Sequence, residues 1–144
     1  MSADRQNVPL RIVSAAIIRE DGRYLIAQRP PGDPYEGLWE FPGGKVRIGE
    51  DPRAALVREC AEELGCTVTV GDPFEVIYHD YEDFIILMIA FWAQVVEGVP
   101  LAVECARIAM VRPNELLEYE FLPADRGLVD KILQLAQIES TGAL

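Results

Sequence analysis

Three glutamates, Glu59, Glu62 and Glu63, stand three and four residues apart near the middle of the chain. On a helix that spacing turns them to one edge and brings their β-carbons within ~5 to 6 Å, where the carboxylates repel one another unless a positive charge stands among them. Hard oxygen donors clustered in this way suit Mg2+, with Mn2+ as the next fit, and such an ion also bridges to the phosphate oxygens of a small molecule. Arg58, one turn before Glu62, can hold a carboxylate in orientation without competing as a ligand. Three acids on a helix are in general more often a solvated face, so their surroundings decide between the two readings.

The acids need a helix, and the flanking residues supply one. Asp51 can cap it, Pro52 suits its first turn and Gly65 suits a left-handed end, which predicts a helix from Pro52 to Leu64. On its wheel Arg53, Leu56, Val57, Cys60, Ala61 and Leu64 form the side opposite the acids. Upstream, Arg11 to Arg19 and Tyr24 to Gln28 flank the turn residues Asp21-Gly22 and read as a β-hairpin. Pro30, Pro31, Gly32, Asp33, Pro34 and Gly37 then predict a long loop, followed by the short stretch Leu38 to Phe41 and a turn at Pro42-Gly43-Gly44. Downstream, Val68 to Val70, Phe74 to Tyr78 and Ile85 to Val96 read as strands, the last apolar throughout as if covered on both faces. A turn at Glu97-Gly98, a short strand at Ile108 to Val111, a helical turn at Pro113 to Leu117 and a final helix from Ala124 to Gln137 complete the reading. The final helix carries Leu128, Ile132, Leu135 and Ile138 on one face.

At 144 residues, half of them hydrophobic, the chain has the size of one domain, 1–144, with enough apolar material for a core. No apolar run is long enough to span a bilayer, and Met1 to Asn7 is polar with no signal-type block after it, so a cytoplasmic protein without a membrane partner is expected. Cys60, Cys66 and Cys105 form no CxxC pair and read as reduced, partly buried residues. The net charge of -11 argues against polymeric nucleic acid as a partner, because neutralising a phosphate backbone takes clusters of Lys and Arg. An acidic protein still binds a phosphate-rich small molecule if divalent cations stand between the two.

From Gly44 onward the chain runs through five residues to Glu50, seven more to Arg58-Glu59, and on through Glu62-Glu63 to Gly65. This pattern resembles a complete Nudix box, with Cys60 and Cys66 in two slots usually held by aliphatic residues. The resemblance to the MutT-type branch extends through Ala16-Ile17-Ile18, Ala27-Gln28-Arg29, Leu38 to Lys45 and Phe121 to Asp125. It implies an α/β/α sandwich with a mixed β-sheet, and a Mg2+-dependent hydrolase that directs water at a phosphorus atom of a nucleotide diphosphate linkage. In MutT-like enzymes this converts a nucleoside triphosphate to monophosphate and pyrophosphate. The resemblance makes Glu59, Glu62 and Glu63 metal ligands, with a backbone carbonyl at Gly43 or Gly44 as a further donor and Glu50 and Arg58 as braces. Glu104 stands where the branch brings a loop acid to the metal, as ligand or general base, although Cys105-Ala106-Arg107 depart from the usual pattern and an exposed loop acid is the alternative.

For the base, the resemblance points to Arg29, Phe41 and Asp125. Arg29 can meet base or phosphate, or make a surface salt bridge. Asp125 stands where the branch's namesake carries Asn, and a carboxylate accepts hydrogen bonds but cannot donate them. An oxidised purine such as 8-oxo-dGTP and a pyrimidine such as CTP or dCTP both remain candidates, and a charge favourable at a helix start is the other use of Asp125. No proline follows the box at the spacing often associated with ADP-ribose hydrolysis. Tyr81 lies near a tyrosine of diadenosine polyphosphate hydrolases, but a ring beside Phe84 is more often packing. A catalytically silent nucleotide-binding domain is the remaining alternative. His79 lacks a partner histidine and reads as an ordinary strand-end residue, and Met88 and Trp92 read as sheet packing. No oligomeric state follows from the sequence.

Overall fold

The computed structural model describes residues 7–142 of the chain. Of the polar start Met1 to Asn7, only Asn7 falls within them. Strand β1 (Leu10–Glu20) turns at Asp21 and Gly22, both at positive φ, into β2 (Arg23–Gln28). Asp and Gly are residue types that tolerate this conformation in a two-residue hairpin turn. Strands β3 (Trp39–Glu40) and β4 (Gly43–Lys45), helix α1 (Pro52–Leu64), β5 (Thr67–Asp80), β6 (Ile85–Glu97) and β7 (Arg107–Val111) follow. Two 3-10 turns, Pro113–Glu118 and Pro123–Asp125, then lead into helix α2 (Arg126–Thr141).

The hairpin opens as soon as it forms. β1 and β2 pair at Arg19–Tyr24 and Glu20–Arg23. Away from the turn β1 pairs instead with β4 on one edge and, in parallel, with β6 on the other. β2 pairs with β7 and with β3. The two arms are thus drawn into different groups of strands, and a cleft opens between them.

Period-two alternation along the hairpin sorts the core into two halves. Ala15, Ile17, Tyr24 and Ile26 pack with Leu128, Val129 and Ile132 of α2. Ala16, Ile18 and Leu25 turn the other way, toward Leu56, Cys60 and Leu64 of α1. A helix therefore covers each face of a mixed sheet, the α/β/α arrangement expected. Full burial of Leu56 and Leu64 contributes roughly 1.5 to 3 kcal/mol apiece to holding α1 in place. The predicted bounds and caps of α1 hold: the Asp51 side chain accepts from the Arg53 amide and Gly65 is left-handed.

Several elements differ from expectation. The two predicted strands around residue 72 are one strand, β5, with register shifts on either side of Pro73. A proline without an N–H is tolerated there because β5 is an edge strand and bulges at that point. The residues read as a turn at Gly43-Gly44 pair with β1 as β4, because the opened hairpin leaves that edge of β1 free. β6 is covered on both faces only around Ala90 and Phe91, and its far end, Val96, is exposed. The last helix begins later than expected, since Pro123–Asp125 winds as a 3-10 turn, and it runs on to Thr141 with Ile138 exposed. On α1, Ala55 is buried and Ala61 exposed, while Arg53 earns its place on the apolar side by lying over the Phe91 ring at 4.8 Å. All three cysteines are free, Cys60 and Cys66 buried and Cys105 half-buried.

Candidate active site

The cleft between the two arms is a cavity of about 670 Å3. Its floor is the face of β1 and β6 that carries Val13, Ala15, Ile86 and Met88, so Met88 lines the cavity as well as packing the sheet. Six acids line it, Asp33, Glu40, Glu59, Glu63, Glu104 and Asp125, against three cations, Arg11, Arg29 and Lys45.

At one end the loop 43–50 is fastened to α1. The Arg58 guanidinium donates to both Glu50 oxygens at 2.9 and 3.0 Å and to the Lys45 carbonyl at 3.0 Å, with Glu59 at 2.9 Å. Hydrogen bonding from Arg58 holds the Glu50 carboxyl down at about 2. This clamp lays the two glycines against their neighbours. A Cβ on Gly44 would stand 2.4 Å from the Glu59 carboxyl carbon, and one on Gly43 would stand 2.0 Å from the Ser14 carbonyl oxygen. Gly44 is therefore a cradle for the Glu59 carboxylate, and Gly43 a close approach of two backbones.

The three helix acids do not share one edge equally. Glu59 and Glu63 line the cavity, and the Gly43 amide donates to Glu63 at 3.4 Å. Burial, with the Glu40 carboxylate beside it, pushes Glu63 up to about 8. Glu62 is outside the cavity lining and leans on Arg58 at 3.4 Å. Among the described residues no three acid, imidazole or thiol side chains close on a common point. The physical reason is the Arg58 guanidinium, which draws Glu59 and Glu62 to itself. The donor set nevertheless fits a hard divalent cation: oxygen ligands in surplus over positive charge, one of them with raised proton affinity, and a glycine shaped around another.

Glu104 also lines the cavity although it is exposed and distant in sequence. The segment before β7 is latched to the end of α1 by the amides of Val103 and Glu104, which donate to the Glu63 carbonyl at 3.1 and 3.3 Å. These bonds satisfy a helix-terminal carbonyl and deliver Glu104 to the acidic end.

At the other end Asp125 is buried, and one carboxylate oxygen accepts from the Phe41 amide at 2.9 Å. Desolvation, with the nearby Glu40 carboxylate, raises its proton affinity well above the ordinary range. Asp125 stands at the N-cap position of α2, where its side chain makes no cap hydrogen bond. Phe41 lines the cavity, but its ring is stacked on Phe121 at 5.5 Å, a core position. Arg29 lies between Asp33 and Glu40 in a half-buried network rather than a surface salt bridge. Tyr81 lines the same end, stacked on Phe84, and its hydroxyl accepts from the Ala124 amide at 3.0 Å. His79 stays outside the lining, edge-on to Tyr81, and Trp92 packs on Phe74.

Glu40 escaped the sequence reading. It is an acid between the buried rings of Trp39 and Phe41, lining the cavity with its carboxylate on Arg29. Burial raises its proton affinity while Arg29 opposes the rise. The available signal was a single charge inside an aromatic strand, where alternation sets it on the opposite face.

Residues 13–131 match the family model of the NUDIX domain. The chain is 41% identical over 123 residues to the CTP pyrophosphohydrolase of Escherichia coli K12, covering 85% of this chain and 91% of that protein. It is 36% identical to a putative 8-oxo-dGTP diphosphatase 2 of Mycobacterium tuberculosis, covering 82% and 84% of the two chains. The solution structure of the E. coli ORF135 protein superposes with a TM-score of 0.78 at 38% identity, over 91% of this chain and 94% of that one.

Proposed function

The chain belongs to the NUDIX family, and from that premise we propose that it is a Mg2+-dependent hydrolase, working in the cytoplasm as a single domain, that converts a nucleoside or deoxynucleoside triphosphate to the monophosphate and pyrophosphate. The observation that carries the reading is one cavity with a carboxylate end, Glu59 against Gly44 and Glu63 on the Gly43 amide, and another end built around Asp125. A small nucleotide has the same division, phosphates at one end and a hydrogen-bonding base at the other.

Glu59, Glu62 and Glu63, with a carbonyl of Gly43 or Gly44 and with Glu104, would hold Mg2+ or Mn2+, which when bound offsets phosphate charge and lowers the proton affinity of the attacking water. Arg58 and Glu50 keep the glycine loop in register with α1. Glu62 has to leave Arg58 to join the others, and its exposure, with the long 3.4 Å contact, makes that a small cost. Glu104 acts as a ligand or takes the proton of the water. Asp125, fixed by the Phe41 amide, accepts from the donors of the base, Phe41 braces it, and Arg29 sets Glu40 beside it.

Oxidised guanine is the first base reading and cytosine the second. The second is favoured by 41% identity to a protein named CTP pyrophosphohydrolase, and either base offers an amino group to the Asp125 carboxyl. A hydrolysis screen with Mg2+ over 8-oxo-dGTP, CTP, dCTP, ATP, ADP-ribose and diadenosine polyphosphates tests the reaction. Pyrophosphate and a monophosphate are the expected products. Release of orthophosphate and a diphosphate would overturn the bond assignment, and turnover of ADP-ribose alone would overturn the substrate class.

A further inference from the structure

Arg29 is occupied by two carboxylates, whereas Arg11 and Lys45 make no ion pair with any described residue. Lys45 pairs with Val13 beside the glycine loop. Arg11 lies farther out: Ala15 pairs with Gly43 at the carboxylate end, and four residues of strand place Arg11 ~13 Å beyond it.

A chain of contacts leads from Arg11 toward the residue before Asp125. Its guanidinium lies over the Phe84 ring at 3.9 Å, Phe84 stacks on Tyr81 at 5.0 Å, and the Tyr81 hydroxyl accepts from the amide of Ala124, the residue before Asp125. All of these residues line the cavity. A guanidinium held by its face on an aromatic ring keeps its N–H donors free in the plane, directed outward as a fork. Among the described residues no acceptor meets that fork. An exposed donor set, held flat on a ring and with no acceptor among the described residues, at the mouth of a cavity, is placed to meet a ligand.

Resting on the triphosphate reading above, we infer that Arg11, stacked on Phe84, contacts the substrate and determines base specificity by donating to a carbonyl oxygen of the base while Asp125 accepts from its amino group. This pair selects bases that carry both groups, cytosine and guanine or its oxidised form. Adenine offers no carbonyl, and uracil and thymine no amino group.

The test compares wild type, Arg11→Ala and Arg11→Lys on CTP, 8-oxo-dGTP and ATP with Mg2+, alongside calorimetric binding of CMP, 8-oxo-dGMP and AMP. Loss of a charged hydrogen bond is expected to lower kcat/KM on the accepted carbonyl-bearing substrate at least about tenfold, chiefly through KM. Its monophosphate should weaken in parallel, and ATP and AMP should change less than about twofold by the same reasoning. Arg11→Lys should stay near the alanine variant, because an ammonium restores charge without a flat fork. An equal loss on ATP, or no loss on any substrate, overturns the inference while the triphosphate reading stands. A wild-type protein that neither cleaves nor binds any of these nucleotides overturns both.

Discussion

The two ends of the cavity are built in opposite ways. The carboxylate end comes from one continuous stretch, Gly43 to Glu63, a loop and the helix it is tied to, with Glu104 as a late arrival. The end proposed for the base is gathered from β1, the loop after β2, the residue after β3, the β5–β6 turn and the turn before α2, contributing Arg11, Arg29, Phe41, Tyr81 and Asp125. A local arrangement depends on helical spacing and caps and tolerates change elsewhere. A gathered one depends on how the sheets splay, and small differences at any of five segments alter it. Chemistry is therefore expected to be the robust property of this molecule and base preference the variable one.

The sharpest test of that contrast removes the carboxylate end. Glu59→Gln or Glu62→Gln, or chelation of the metal, should lower kcat at least about a hundredfold with the thermal midpoint of the variants unmoved. Retained turnover in Glu62→Gln would leave that residue as a surface partner of Arg58. Glu104→Gln should lower turnover by roughly a hundredfold if it handles the proton, again with little loss of folding. Unchanged turnover at saturating metal would take Glu104 out of the mechanism.

The glycines separate function from folding within the same loop. Gly43→Ala drives a Cβ into the Ser14 backbone and should cost on the order of 2 to 4 kcal/mol of stability in a denaturant melt. Gly44→Ala meets a carboxylate that can swing away, so it should lower activity with less than about 1 kcal/mol of destabilisation. Equal destabilisation of the two would undo the cradle argument. At the base end, Asp125→Asn should leave metal dependence intact and shift the ratio of rates on cytosine and oxidised-guanine substrates by about tenfold. An unchanged ratio would remove Asp125 from base recognition.

The smallest effect is one of pH on the clamp itself. Glu50 has its folded value lowered from about 4.5 to about 2 by Arg58, so its contribution to stability is complete above 4.5 and is lost as pH falls toward 2. A Glu50→Gln variant should lack that portion of the acid dependence, read as a flatter stability curve over this window.

How much of this was legible in the sequence follows from the same contrast. The bounds of α1, its caps and the placement of Glu59 to Glu63 depend on neighbours in sequence, and the resemblance to a Nudix box carried the fold with them. Spacing put Arg58 within reach of Glu62, but it could not tell that Glu59 would be drawn to Arg58 as well while Glu63 turned inward, because that depends on where the loop carbonyl and Glu50 come to rest. The bulge at Pro73 hid a single strand behind two apparent ones, since an edge position is a property of the sheet. Glu40 and Arg11 looked like ordinary charges in strands.

Local spacing, capping and the glycine pattern by themselves determined the helix, its row of acids and the loop that meets it, because those interactions close over a few residues. Only the tertiary structure decided which acids face the cavity, that Glu104 joins them, and that Arg11, Tyr81 and Asp125 line the same cavity. Those relations arise where β1 leaves β2 for β4 and β6, and strand partners remote in sequence carry no imprint in local periodicity.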